Sequence, residues 1–156
     1  MRGDAWKLFY AKGYDLVIPT NAGWTKDGRN VMGAGLAKEA KEVCENGAHI
    51  VDLAALYGGL CRTGSSRVYL EPLRLILVPS KPLLRDKPWL SWRQPSDGWT
   101  IKESLEWLVE HRDVFRECVG VPLLGAGNGR LDPVFVKGLI EASLGRYPKF
   151  IGIKGK

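Results

Sequence analysis

The chain reads as an α/β protein, a three-layer α/β/α fold with a mixed, mostly parallel central sheet and helices on both faces. Three observations carry this. Short apolar runs alternate along the chain with stretches whose apolar residues recur at helical spacing. One run, Leu75-Ile76-Leu77-Val78, is apolar at every position, as a strand covered on both faces must be. Glycine-rich segments stand where strand-to-helix turns should fall. At 156 residues the chain is sized for one domain, taken as residues 1–156.

From the amino end, Leu16-Val17-Ile18 is an apolar run stopped by Pro19, the pattern of a buried strand. Leu36, Ala37, Ala40, Val43 and Cys44 then share one helix face, and Gly47 is placed to stop that helix. A second short helix is expected between His49 and Leu60. Val68-Tyr69-Leu70 and Leu75–Val78 are the next strands, the latter read as the central one. Pro82, Pro88 and Pro95 make Pro79 to Asp97 a long irregular loop. Thr100-Ile101-Lys102-Glu103 has the capping-box form that opens a helix, with Ile101, Leu105, Leu108 and Val109 on its inner face. Val119 to Leu124 is a strand with Pro122 near its end. Asp132-Pro133 supplies an N-cap and a first-turn proline for a helix through Leu144, and Phe150 to Ile153 is a last short strand.

Composition excludes several classes. With 45% hydrophobic and 26% charged residues this is no disordered tail. No run approaches the roughly 18–20 apolar residues of a membrane span, and Met1-Arg2-Gly3-Asp4 does not have the form of a signal peptide. Cys44, Cys61 and Cys118 form no CxxC pair, which points to a reducing cytoplasm rather than a disulfide framework. His49 and His111 are the only histidines and no HExxH is present, so a zinc site would be hard to assemble. GxSxG and GxxxxGK[ST] are both missing. The net charge of +6 suggests a polyanionic partner, although charge of this size also serves solubility.

The most informative feature is a pair of glycine-rich segments, each following a strand and opening a helix: Gly33-Ala34-Gly35 and Gly125-Ala126-Gly127-Asn128-Gly129. Glycine lets backbone approach a ligand closely, and the free N–H groups of a helix's first turn then face an anion. One such loop serves equally well as a cap or tight turn. The first also lacks dinucleotide-binding spacing, because its third glycine would fall at Lys38. Two at the carboxyl edge of one sheet are more specific, since opposed cradles suit a diphosphate held from both sides.

Pro19-Thr20-Asn21, then Val31-Met32-Gly33-Ala34-Gly35-Leu36-Ala37, then Pro122-Leu123-Leu124-Gly125-Ala126-Gly127-Asn128-Gly129-Arg130-Leu131-Asp132 together resemble the macrodomain family. The pattern is most similar to the phage-type macrodomains and to the antitoxin macrodomains that remove ADP-ribose from DNA, and it spans nearly the whole chain. The resemblance implies an ADP-ribose site. In it Asp4, with Ala5 beside it, meets the adenine, and Thr20 and Asn21 lie beside the distal ribose. Met32, Gly33, Ala34, Gly35, Leu36 and Ala37 wrap that ribose and one phosphate, while Pro79 and Ser80 line the same crevice. Gly125, Ala126, Gly127, Asn128, Gly129 and Arg130 hold the other phosphate. Without the family pattern Asp4 would read as a solvated terminal charge and Asn21 as a turn residue. Family members carry a strand ahead of their Gly-Asp; only Met1-Arg2 precede it here, so that edge strand is expected to be absent or the start shortened.

Val78-Pro79-Ser80-Lys81 closes the buried strand, so Lys81 should emerge at the edge carrying the glycine loops. A lysine at a strand end is ordinarily a solvated charge. In the DNA-directed macrodomains the lysine of the matching Pro-x-Lys segment is catalytic, and the resemblance implies the same of Lys81, with Asn21 orienting the ribose. A glycosidic or ester bond at the anomeric carbon breaks through an electron-poor, oxocarbenium-like centre. An amine whose pKa is lowered by burial and nearby cations would attack that carbon, whereas an ammonium would stabilise the leaving group; the sequence leaves both open. Ester-cleaving relatives place an aspartate in the second glycine loop, but the aligned residue here is Gly129, as in the DNA-directed group. That argues against a Lys–Asp dyad, and N-capping accounts for Asp132.

Arg85, Lys87, Trp89, Trp92, Arg93 and Trp99 interleave cations and indoles in one irregular segment, and Trp92-Arg93-Gln94-Pro95-Ser96 resembles the stretch just after the lysine in the family. Such interleaving suits single-stranded nucleic acid, with bases on aromatics and phosphates on Arg and Lys. Equally, the indoles could pack the loop against the domain, and at least one is expected to do so. The reading that results is an ADP-ribosyl hydrolase acting on a modified target, most of all a DNA base. The alternatives are a non-catalytic ADP-ribose reader and a phosphatase of ADP-ribose 1″-phosphate. No metal or redox cofactor is implied. The expected partners are ADP-ribose and an ADP-ribosylated single strand of DNA, not a membrane, and the chain is expected to act as a monomer.

Overall fold

Leu16, Val17 and Ile18 are wholly buried in β1 (Asp15–Asn21), the middle strand of a five-stranded sheet. The computed structural model describes residues 5–47, 50–126 and 129–153. The other strands are β2 (Val68–Leu70), β3 (Leu75–Lys81), β4 (Val119–Val121) and β5 (Phe150–Gly152), in the order β2-β3-β1-β4-β5 across the sheet. Only β2 runs antiparallel to its neighbour; β3, β1, β4 and β5 are parallel, so the sheet is mixed and mostly parallel.

Successive side chains of β1 and β3 point to opposite faces, and each face has its own core. On one, α1 (Gly35–Asn46) and α2 (Leu53–Arg62) bring Ala40, Cys44, Leu53 and Tyr57 onto Leu16, Ile18, Leu75 and Leu77. On the other, α3 (Gly98–Glu110) and α4 (Pro133–Leu144) bring Ile101, Leu105, Leu108 and Leu144 onto Val17, Ile76, Val78 and Val119. Each fully buried aliphatic side chain of this kind contributes about 1.5–3 kcal/mol over its exposed state.

Several elements differ from the sequence reading, each for a local reason. β1, not β3, is central. β3 continues through Pro79 and Ser80 to Lys81 because β1 extends alongside it, pairing Thr20 with Pro79 and Asn21 with Lys81. Pro79 is tolerated because β2 pairs only with Leu75 to Leu77, so no partner on that side needs its missing N–H. Pro19 sits likewise beyond the β4 pairing, which involves only Asp15 and Leu16. β4 stops at Val121, ahead of Pro122. The expected loop from Pro79 to Asp97 contains 3₁₀ turns at Pro88–Arg93, and α3 opens two residues before Thr100. The cap is Asp97, whose carboxylate accepts from Thr100 N at 2.9 Å and Thr100 Oγ1 at 3.0 Å, so no capping box begins at Thr100. α2 starts at Leu53 under an Asp52 cap and runs to Arg62, while His49 lies outside the described residues. Asp132 and Pro133 open α4 as expected. β5 ends at Gly152, one residue short of Ile153. A wide π-type turn, Trp6–Tyr10, has no periodicity to betray it. It is tied down by Trp6 Nε1 to Glu39 (2.7 Å) and Tyr10 OH to the Leu73 carbonyl (2.5 Å).

Candidate functional site

The carboxyl ends of β1 and β3 meet at one edge of the sheet. A register irregularity between Thr20 and Asn21 turns β1 there, so that Asn21 pairs with Lys81 and not with Ser80, and Ala22 N donates to the Lys81 carbonyl at 3.3 Å. Asn21 is buried and its amide is oriented from both ends. Its Oδ1 accepts from Gly23 N (3.0 Å) and Asn30 Nδ2 (3.2 Å), and its Nδ2 donates to the Val31 carbonyl (2.9 Å). The inventory of an amide leaves one Nδ2 proton without a partner among the described residues, so Asn21 can donate to a ligand. Asn30, also buried, binds the carbonyls of Asn21 and Gly23 as well, and locks this turn. Thr20 faces the other way, its hydroxyl 2.6 Å from that of the fully buried Tyr57.

Gly33, Ala34 and Gly35 are exposed over this edge. α2, α3 and α4 are each capped by an aspartate (Asp52, Asp97, Asp132), but α1 has Ala34 at its N-cap and no side-chain cap. Its first-turn N–H groups therefore have no side-chain acceptor from the N-cap. Gly35 needs its glycine for a φ of +59°, whereas a Cβ on Gly33 would meet nothing within 4 Å. What Gly33 preserves is open space. Met32 and Ala5, expected to line the site, are buried in the core.

The second glycine segment is built differently. Gly125 has a φ of +83°, and its Cβ would lie 2.7 Å from Ile101 Cδ1 and 2.8 Å from Ser96 Cβ. A Cβ on Gly129 would lie 2.1 Å from Ser96 Oγ. Ser96 N donates to the Gly129 carbonyl (3.0 Å) and Leu131 N to that of Gly125 (3.0 Å), closing the loop against Ser96. Ser96 Oγ in turn lies 3.3 Å from Ser80 Oγ, which ties the loop to the end of β3. No carboxylate could replace Gly129 without displacing Ser96. Ala126 is partly exposed; Gly127 and Asn128, like Asp4 at the adenine end, lie outside the described residues. The loop does not run directly into a helix, since α4 begins only at Pro133.

Lys81 reaches across this edge. Its Nζ donates to the Trp92 carbonyl at 2.9 Å, and Arg130, at a left-handed φ of 67°, donates from Nη2 to the adjacent Arg93 carbonyl at 3.2 Å. Successive carbonyls at the end of the Pro88–Arg93 turn thus hold two cations near each other. Burial, and after it the charge of Arg130, pulls the Lys81 pKa below the usual lysine value. Among the described residues no group of three or more His, Cys, Asp or Glu side chains is placed to hold a metal ion, and no helix is long and apolar enough to cross a membrane.

The turn is anchored by Ser91, fully buried, whose Oγ accepts from Leu84 N at 2.9 Å. A Cβ on Gly23 would lie 2.2 Å from the Pro88 carbonyl oxygen and 2.5 Å from Ser91 Cβ, so the segment after β1 fits the turn only with glycine there. The three indoles are covered to different extents: Trp89 is 39%, Trp92 44% and Trp99 65% exposed. Arg85, Lys87 and Arg93 are exposed beside them. Ser96, Asn30 and Gly23 are the residues that sequence reasoning missed. Gly23 lies two positions after Asn21, and Ser96 closes the segment that resembles the one after the family's lysine; those positions were the available signal.

No protein-family model matches the chain, and no curated protein matches it. Solved structures do. The macrodomain of Mycobacterium tuberculosis DarG superposes with a TM-score of 0.65 at 24% identity, over 90% of this chain and 87% of that one. The macrodomain of Thermus aquaticus DarG gives 0.65 at 24% identity, over 92% and 89%. Thermosipho africanus DarTG in complex with ADP-ribose gives 0.66 at 21% identity, over 94% of this chain and 39% of that one. With its mixed five-stranded sheet between two pairs of helices, the chain has the macrodomain fold.

Proposed function

We propose that the chain binds ADP-ribose at the carboxyl edge of its sheet and removes it from a modified target, a base in single-stranded DNA. The observation that carries the reading is Lys81. It is paired in register with Asn21, tied through its turn to Arg130 of the second glycine loop, and its ammonium form is disfavoured by burial and by that cation. The ADP-ribose held by the similar Thermosipho protein supports the ligand class.

In this reading the uncapped N-terminus of α1 and the loop on Ser96 hold the diphosphate from two sides, Asn21 donates to a hydroxyl of the distal ribose, and Lys81 acts as the amine. The Nζ lone pair forms a bond to C1″ while the bond from C1″ to the base nitrogen breaks. The electron pair leaves with the base, which takes a proton from water. Opening of the ribose ring gives an imine at C1″; its hydrolysis restores the amine and releases ADP-ribose. The exposed basic and aromatic residues Arg85, Lys87, Trp89, Trp92 and Arg93 hold the strand. The test offers the protein three substrates: an ADP-ribosylated single-stranded oligonucleotide, an ADP-ribosylated protein and ADP-ribose 1″-phosphate. Release of ADP-ribose from the oligonucleotide, abolished in Lys81→Ala, is expected. Tight ADP-ribose binding without turnover of any of the three overturns the hydrolase in favour of a reader, and turnover of the 1″-phosphate alone makes the chain a phosphatase.

A further inference from the structure

Three exposed indoles each carry a cation. Lys26 Nζ lies 5.7 Å from the centre of the Trp89 ring, the Arg93 guanidinium 5.9 Å from that of Trp92, and Lys102 Nζ 5.5 Å from that of Trp99. Trp99 belongs to the first turn of α3, not to the loop between β3 and α3, and it has a neighbour from α4. Phe135, 49% exposed, comes so near Gly98 that a Cβ there would sit 3.2 Å from its ring. Large aromatics left in water at this density are costly unless something covers them. Their order is informative as well. Trp92 stands at the lysine, since its own carbonyl holds Lys81 Nζ. In chain order Trp89, beside Lys26, precedes Trp92, and Trp99, with Phe135 of α4 against the neighbouring Gly98, follows it.

From this we infer that a single strand of nucleic acid crosses the edge of the sheet over Lys81, with bases stacked on both sides of the reacting nucleotide, and that Trp99, Lys102 and Phe135 form the half of the track beyond Arg93. The inference rests on the reading of the site as one that acts on modified DNA, and adds to it where the flanking strand runs. A cation beside each indole fits a polyanion with stackable bases: the ring takes a base face and the Lys or Arg the adjacent phosphate. A folded acidic protein would complement the cations but gives no reason for an exposed indole beside each of them. Duplex DNA has its bases already stacked and would use the cations alone.

The probe is a fluorescein-labelled, unmodified oligothymidylate, read by anisotropy with wild type, Trp99→Ala, Trp99→Phe and Phe135→Ser, alongside ADP-ribose affinity measured by calorimetry. Both positions are at the surface, so folding is checked simply by the thermal midpoint. Stacking of one base on an indole corresponds to roughly a 5- to 150-fold loss on truncation to alanine. We expect a loss in that range for Trp99→Ala, a smaller one for Phe135→Ser, substantial retention in Trp99→Phe and unchanged ADP-ribose affinity in all. Binding of the oligonucleotide that is indifferent to Trp99→Ala overturns the track, as does equal affinity for a duplex of the same length. Failure of wild type to bind the oligonucleotide while binding ADP-ribose sinks the track and leaves the ADP-ribose reading standing. A Trp99-dependent affinity for the strand with no affinity for ADP-ribose does the reverse.

Discussion

Substituting Gly129 by alanine tests how the second glycine loop is held. The added Cβ would stand 2.1 Å from Ser96 Oγ and 2.8 Å from Ser96 Cβ, while the 3.0 Å bond from Ser96 N to the Gly129 carbonyl prevents the two segments from drifting apart. Overpacking of this kind costs about 1–3 kcal/mol. For a chain of this length 1 kcal/mol moves the thermal midpoint by roughly 2–4 °C, so Gly129→Ala should lower it by about 2–12 °C. If the same energy displaces the loop from the shape the diphosphate needs, ADP-ribose affinity falls roughly 5- to 150-fold. Ser96→Gly removes both atoms that the new methyl would strike. Alone it loses the 3.3 Å contact with Ser80 and stiffness in the chain, costing about 1 kcal/mol. The double variant should therefore be more stable than the sum of the singles predicts, by an interaction energy of about 1–3 kcal/mol. Chemical denaturation gives the cycle and calorimetry the affinities. Strict additivity, or a Gly129→Ala protein with wild-type stability and affinity, refutes the packing argument.

Neighbours of the site offer further tests. If Lys81 reacts as the amine, single-turnover cleavage rises with pH as its proton is lost and levels off above its lowered pKa. Arg130→Gln removes a cation that favours the neutral form, so the rising limb should shift to higher pH; a limb that does not move contradicts the role given to Arg130. If backbone N–H groups carry the binding, ADP-ribose affinity should change little between low and moderate salt, whereas oligonucleotide affinity should fall steeply, with a slope of about −0.7 per phosphate contacted. Gly23→Ala should drive the segment after β1 against Pro88 and Ser91, and so move the turn that holds Lys81. Turnover is expected to fall more than ADP-ribose affinity, and equal losses in the two would argue against that linkage. Tyr57→Phe strips a buried hydroxyl shared by Thr20 and the Ser66 carbonyl, and should cost about 1–3 kcal/mol by denaturation with no new pH dependence.

Sequence and structure agree where a single residue type has one physical use. Asp132-Pro133 could only open a helix, the all-apolar Leu75–Val78 could only be covered on both faces, and the alternation of strand and helix led to a mixed sheet with two helices on each side. Boundaries escaped where tertiary pairing decided them. β3 continues through a proline because β1 runs on beside it, and Asp97 outcompetes Thr100 for the cap. In the site, the two glycine segments look equivalent in sequence but serve opposite ends: Gly33 keeps space empty, whereas Gly125 and Gly129 exist because Ser96 fills theirs. Ser96 lies about thirty residues from that loop, and no periodicity links the two. The position of Lys81 could be read from the strand before it; that the backbone of Trp92 and the charge of Arg130 act on it could not.

The most direct test of the account is to trap the reaction in mid-course. Wild-type protein is incubated with an ADP-ribosylated single-stranded oligonucleotide in the presence of borohydride, and the protein is digested and examined by mass spectrometry. Reduction of the imine should leave a stable ADP-ribose adduct on Lys81 that appears only with the modified substrate and coincides with loss of turnover. Continued release of ADP-ribose with no adduct on Lys81, or its release at the wild-type rate by Lys81→Ala, would contradict it.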